Sequence, residues 1–162
     1  MSVLFENNTR GAVFSDNRFY RYVLWRAWND MKPKVMFIGL NPSTANEMTD
    51  DPTIRRVIQF AKDWGYGGVY MMNLFAWVTA YPDELALLKV DPVGENDNWL
   101  LKMKGHSERV IFAWGNFKEA TKRAEVVKNM FPRAMVLGVN KNGTPKHPLY
   151  VRSSVIPEMY DY

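Results

Sequence analysis

The 162-residue sequence predicts an α/β domain: a β-hairpin over about residues 12–25, then a core over about residues 34–150 with four parallel strands. Three observations carry this reading. Short apolar runs rich in β-branched and aromatic residues recur four times, each stopped by polar or turn-forming residues. Between them lie segments with apolar residues at helical spacing. No repeat, low-complexity tract or Pro/Gly/Ser linker divides the chain, and its length suits one domain. Alternating strands and helices imply a parallel sheet covered on both faces, with right-handed crossovers.

The hairpin begins with Ala12-Val13-Phe14, turns at Ser15-Asp16-Asn17, and returns through Tyr20-Arg21-Tyr22-Val23-Leu24-Trp25. Lys34-Val35-Met36-Phe37-Ile38-Gly39-Leu40 reads as a buried strand stopped by Asn41-Pro42. Asp51 is placed to cap a helix with Pro52 at its first position. Ile54, Val57, Ile58 and Ala61 form its apolar face, and Gly65 ends it after Trp64. Gly68-Val69-Tyr70-Met71-Met72-Asn73-Leu74 is the second strand. Pro82-Asp83 starts a helical turn through Leu88, and Asn96 or Asp97 is expected to cap a helix through Lys104. Arg109-Val110-Ile111-Phe112-Ala113-Trp114 is the third strand. A helix starting at Gly115-Asn116 follows, with Phe117, Ala120, Ala124 and Val127 on one face. Ala134-Met135-Val136-Leu137-Gly138 is the fourth strand, and residues 140–162 read as loop.

Composition removes several kinds of chemistry. There are no cysteines, so disulfides, thiolate catalysis and iron–sulfur clusters are excluded. The two histidines, His106 and His147, do not make a multi-histidine metal site. Glu95, Asp97 and Asp50 have no spacing that specifies a cation, so no metal is expected. Walker A, G-x-G-x-x-G, G-x-S-x-G and H-E-x-x-H motifs are absent, and no cofactor is implied. No apolar run of about 18 residues suggests a membrane span. The polar stretch before Gly11 lacks the pattern of a secretory signal, so a cytoplasmic location is expected. A net charge of +4 together with six Trp, eight Tyr and nine Phe suits a polyanion whose bases stack, and equally suits an ordinary core.

Ligands of open α/β sheets bind beyond the carboxyl ends of the strands. Asn41-Pro42-Ser43, Asn73, Trp114-Gly115-Asn116 and, after the fourth strand, His147 all fall on that edge. Asn41 is no base, but its amide can orient a water or read a base edge, or else cap its own turn. Gly39 permits close approach and Pro42 stiffens the turn. Asn73 can make a two-point contact with a nucleobase amide edge, or join two loops. Phe75 and Trp77 can stack on a planar ligand or fill the core, and Trp114 suits the core. His147, flanked by Pro145 and Pro148, can donate to a leaving group that develops negative charge. Lys141, Lys146 and Arg152 around it can hold phosphates. Asp50 and Arg55 are placed where they can face the cleft.

Gly39-Leu40-Asn41-Pro42-Ser43-Thr44-Ala45, Asp51-Pro52-Thr53-Ile54-Arg55-Arg56, Asn73-Leu74-Phe75-Ala76 and Asn96-Asp97 together resemble the DUF1643 family, found in bacteria and phages, over about residues 10–155. More remotely, the layout resembles the uracil-DNA glycosylase superfamily, which implies a three-layer α/β/α sandwich around a four-stranded parallel sheet. In that resemblance Gly39, Leu40, Asn41, Pro42 and Ser43 match the first motif, whose Asn positions the attacking water. Asn73 matches the base-reading Asn, and His147-Pro148 matches the start of the last motif, whose His stabilises the departing base. Leu149-Tyr150 stands where that motif has Ser, and can wedge into a base stack or simply pack. The resemblance implies N-glycosidic hydrolysis on DNA or a free nucleotide, with Asn41 and His147 catalytic. Gly39, Leu40, Pro42, Ser43, Asn73, Phe75 and Asn116 would then line the substrate site. A nucleic-acid or nucleotide binder without catalysis is the alternative.

Overall fold

The computed structural model describes residues 9–162, so most of the polar N-terminal stretch lies outside the described residues. Among the described residues seven strands form one mixed sheet in the order β1-β2-β4-β3-β5-β6-β7. They are β1 Arg10–Phe14, β2 Arg21–Ala27, β3 Lys34–Gly39, β4 Gly68–Asn73, β5 Arg109–Phe112, β6 Met135–Val136 and β7 Glu158–Met159. The three helices are α1 Pro52–Asp63, α2 Asn96–Lys104 and α3 Thr121–Met130. β3 pairs parallel with β4 and β5, and β5 pairs parallel with β6. β1, β2 and β7 are joined antiparallel at the two flanks.

Alternation along the strands divides the core. Val35 and Phe37 of β3, Met71 of β4 and Ile111 of β5 face α1, which contributes Ile54, Val57, Phe60 and Ala61. Met36, Ile38, Met72 and Phe112 face the other way, toward Leu100 and Met103 of α2 and Ala124 and Val127 of α3. Each fully buried side chain such as Ile54, Val57 or Phe60 contributes about 1.5–3 kcal/mol by leaving water. Helix α1 starts where Asp51 Oδ1 accepts from Ile54 N at 2.9 Å, with Pro52 in the first turn. Gly65, with φ of 87°, lets the chain leave after Trp64.

Several expectations are corrected. The expected hairpin is present as β1 and β2, and what the sequence did not predict is that β2 also pairs antiparallel with β4 and so extends the central sheet. Asn96 does not cap α2 from outside; it is its first residue and is fully buried. The helix expected from Gly115 begins at Thr121, after a 3₁₀ turn over Lys118–Ala120, because Gly115 has φ of 78° and donates to Pro145 O at 2.9 Å. The tail carries β7, whose two residues are exposed and show no buried-strand pattern. Among the described residues no helix is long and apolar enough to cross a membrane.

Candidate functional site

The carboxyl ends of β3, β4 and β5 open onto a pocket of about 230 Å³. The turn after β3 lends it Gly39, Leu40, Asn41 and Ser43, and β4 ends in it with Asn73. Trp114 follows β5, and His147 enters from the loop after β6. Arg21 of β2, Asp51 and Thr53 at the start of α1, and Thr79 from the segment after β4 complete the wall.

Asn41 Nδ2 donates to Pro42 O at 2.9 Å and to Thr79 O at 2.8 Å. Two carbonyl partners fix which end of the amide is nitrogen, and they leave Oδ1 as the group available to a ligand or water. The bond to Pro42 O is the turn-capping role open in the sequence, and it coexists with a free acceptor.

Asn73 is 3% exposed, yet its side-chain amide makes no hydrogen bond to the described residues. Gly39 is its parallel partner in the sheet. A Cβ on Gly39 would lie 3.0 Å from Asn73 Oδ1 and 2.8 Å from Met71 Cε, so glycine keeps the space that Asn73 occupies. Behind the strand end, Asn96 Nδ2 donates to Asn73 O at 2.7 Å and Leu74 O at 3.3 Å. Arg123 Nε donates to Leu74 O at 2.7 Å and its guanidinium pairs with Asp97 at 2.6 Å.

The loop carrying His147 is held at both sides. Asn140 N donates to Thr144 O at 2.8 Å, and Lys146 N donates to Gly138 O at 3.0 Å. His147 Nδ1 accepts from Leu149 N at 3.1 Å, which opens a 3₁₀ turn over Pro148–Tyr150. That bond requires a neutral ring with its proton on Nε2. Burial lowers the His147 pKa below its ordinary value, opposed by the Asp51 charge. The pocket therefore holds an imidazole with an N–H to give.

Arg21 is 4% exposed, and Nη1 donates to Ala45 O at 3.0 Å while Nε finds no partner. Desolvation lowers its pKa to about 10, with the Asp51 charge acting the other way. No motif in the sequence assigns Arg21 a role. Its signal was a lone charge inside the aromatic run from Tyr20 to Trp25. Asp51 and Thr79 were likewise not read as pocket residues.

Other expected residues fall elsewhere. Phe75 packs in the core on the α2 and α3 face and does not line the pocket. Pro42 is buried beneath the turn, where its carbonyl accepts from Asn41 and from Thr79 N. Asn116 lines an adjoining hollow of about 370 Å³ with Leu40, Trp114, His147 and Tyr150, and accepts from Asn142 Nδ2 at 2.6 Å. Lys146 and Arg152 share a third depression with Tyr150. Lys141 is exposed and lines none of these three. Asp50 does not face the pocket; Arg26 holds it at 2.9 Å and Arg10 at 3.1 Å. Arg55 reaches back to Asp50 O at 3.3 Å and is also outside the pocket. Among the described residues no group of three or more His, Cys, Asp and Glu is placed to hold a metal.

The family described as "Protein of unknown function (DUF1643)" matches residues 21–149, a span that includes the segments building this pocket. The chain belongs to the DUF1643 family. The match takes in Arg21, Asn41, Asp51, Asn73 and His147, so the DUF1643 region spans the whole polar wall of the pocket. No curated protein and no solved structure matches the chain.

Proposed function

We propose that this DUF1643 protein binds a nucleobase-bearing ligand in the pocket and hydrolyses its N-glycosidic bond. One observation carries the reading: Asn41, Asn73 and His147 line one pocket, and each keeps a polar group that the protein does not use. A three-layer glycosylase-like arrangement around the parallel strands β4, β3, β5 and β6 belongs to the same proposal.

Asn73 offers both a donor and an acceptor, which suits the amide edge of a base. Trp114 and Leu40 supply apolar wall beside it. In the reaction the bond from the sugar carbon to the base nitrogen breaks, and its electron pair leaves with the base. His147 Nε2–H donates to the negative charge that develops there. Water adds to the cationic sugar carbon, oriented by Asn41 Oδ1. Its proton passes to the Asp51 carboxylate on the same wall, whose Oδ1 is engaged by Ile54 N. An oxocarbenium-like centre needs little nucleophilic push, so a neutral amide suffices to place the water.

The test is release of free base from nucleosides, nucleotides and modified-base oligonucleotides. Asn41→Ala and His147→Ala should each lower turnover by about 10²–10⁴-fold with the fold retained by circular dichroism. Base release at the wild-type rate in both variants would overturn the assignment. Gly39→Ala should weaken ligand binding, because the added methyl displaces Asn73.

A second reading, nucleic-acid binding without cleavage, has its own observation. Tyr150 is 82% exposed and lies between the hollow beside His147 and the depression lined by Lys146 and Arg152. An exposed ring next to two cations suits a strand whose bases stack. Its signature is binding that weakens steeply with salt and yields no product.

A further inference from the structure

Arg21 is a buried cation with few partners. Of its five N–H groups, one meets Ala45 O, and Arg21 forms no ion pair among the described residues. A charge taken out of water is ordinarily paired, since an unpaired one costs several kcal/mol. The same wall carries the amino end of α1, a 12-residue helix, with Thr53 and Ile54 lining the pocket. The positive end of the helix dipole and a guanidinium thus border one space.

We propose that Arg21 and Thr53 at the amino end of α1, where Pro52 has no N–H and Ile54 N is taken by Asp51, form an oxyanion subsite that takes the terminal phosphate of a nucleotide. The proposal rests on the nucleobase reading of this pocket and names its substrate class as a free nucleoside monophosphate. A guanidinium fork matches phosphate oxygens in two-point geometry. Arg21 is 4% exposed and lines the pocket, a recessed position that favours a terminal phosphate over one flanked by chain on both sides. Exposed cations such as Arg152 are the type that follows a strand backbone. The Asp51 charge acts on Arg21 across the pocket, but Asp51 makes no ion pair with it and its Oδ1 is committed to the helix cap, so Arg21 Nε stays without a partner.

The experiment compares thermal melting and calorimetric binding for inorganic phosphate, for uridine and adenosine, and for their 5′-monophosphates, with chloride at matched ionic strength as control. Phosphate should raise the wild-type melting temperature. Each monophosphate should bind about tenfold or more tightly than its nucleoside. Arg21→Gln should remove that advantage and keep nucleoside binding, and Arg21→Lys should keep part of it. Equal wild-type affinities for nucleoside and monophosphate would overturn the subsite, and this arm decides even if the Arg21 variants do not fold. Undiminished monophosphate binding in a folded Arg21→Gln protein would overturn it too. Phosphate and monophosphate binding without base release from any nucleotide would leave the subsite standing and remove the hydrolytic reading.

Discussion

Behind the carboxyl end of β4, Asn96 and Arg123 turn their donors onto the chain itself, gripping Asn73 O and Leu74 O, while Asp97 balances the guanidinium. In front of the same strand end, Asn73, Asn41, His147 and Arg21 each hold something back. The two arginines of β2 repeat the contrast. Arg26 meets Asp50, Trp25 O, Asn46 O and Thr49 O, whereas the Arg21 side chain meets Ala45 O alone. Buried polar groups are nearly always satisfied in folded proteins. A wall where several polar groups face a pocket with bonding capacity to spare is suited to binding something else, and the braced network behind it, in which Asn96 Oδ1 finds no partner, keeps that wall in position.

The largest effect on stability should separate the two arginines. Arg26→Met removes a paired, buried charge and strips Trp25 O of β2 and the loop carbonyls of Asn46 and Thr49 of their donor, and should cost about 3 kcal/mol, the low end for such a site because Asp50 keeps Arg10. Arg21→Met removes a charge that has no ion-pair partner, and should leave the ligand-free protein close to wild-type stability. Urea denaturation of both variants measures the difference. Losses of equal size would erase the distinction between structural and functional arginine.

A smaller effect is expected behind the strand. Asn96→Leu keeps the branched shape and removes both amide N–H donors, stranding Asn73 O and leaving Leu74 O to Arg123. The cost should be about 1–3 kcal/mol, read from the denaturation midpoint. Its effect on ligand binding should track the same loss, because Asn96 touches the pocket only through the backbone of Asn73. Tight ligand binding unchanged in this variant would show that the brace does not position the site.

How far this contrast was legible in the sequence depended on whether local pattern sufficed. β3 and α1 were readable because a stopped apolar run and an Asp-Pro helix start are local features. Asn41, Asn73 and His147 were readable because strand ends share an edge. Phe75 was misplaced because alternation fails once Leu74 N and Phe75 N bond to Gly39 O and Leu40 O; the chain turns, and the ring enters the core. Arg21 was invisible as a site residue because its place depends on β2 joining β4 and on the loop at Ala45 folding over it, two long-range events. β7 is exposed and two residues long, so its burial pattern carries no signal.

The smallest effect, a displaced acid limb, sharpens the front side of the comparison. His147 can accept from Leu149 N only while Nδ1 is unprotonated, and burial holds its pKa below the ordinary value of about 6.5. The folded state therefore binds this proton less readily than the unfolded chain. Its contribution to stability is complete above the ordinary imidazole pKa and is lost as pH falls from there toward the lowered folded value. Turnover should follow the folded group, with an acid limb centred below the ordinary imidazole range. The chain has two histidines, and the imidazole signal lost from the proton NMR spectrum in His147→Ala identifies the one that belongs to the pocket. A His147 signal that titrates above the ordinary value would place an imidazolium there. Nδ1 would then be a donor facing Leu149 N, and the 3₁₀ turn that aims the ring would lose the bond that opens it.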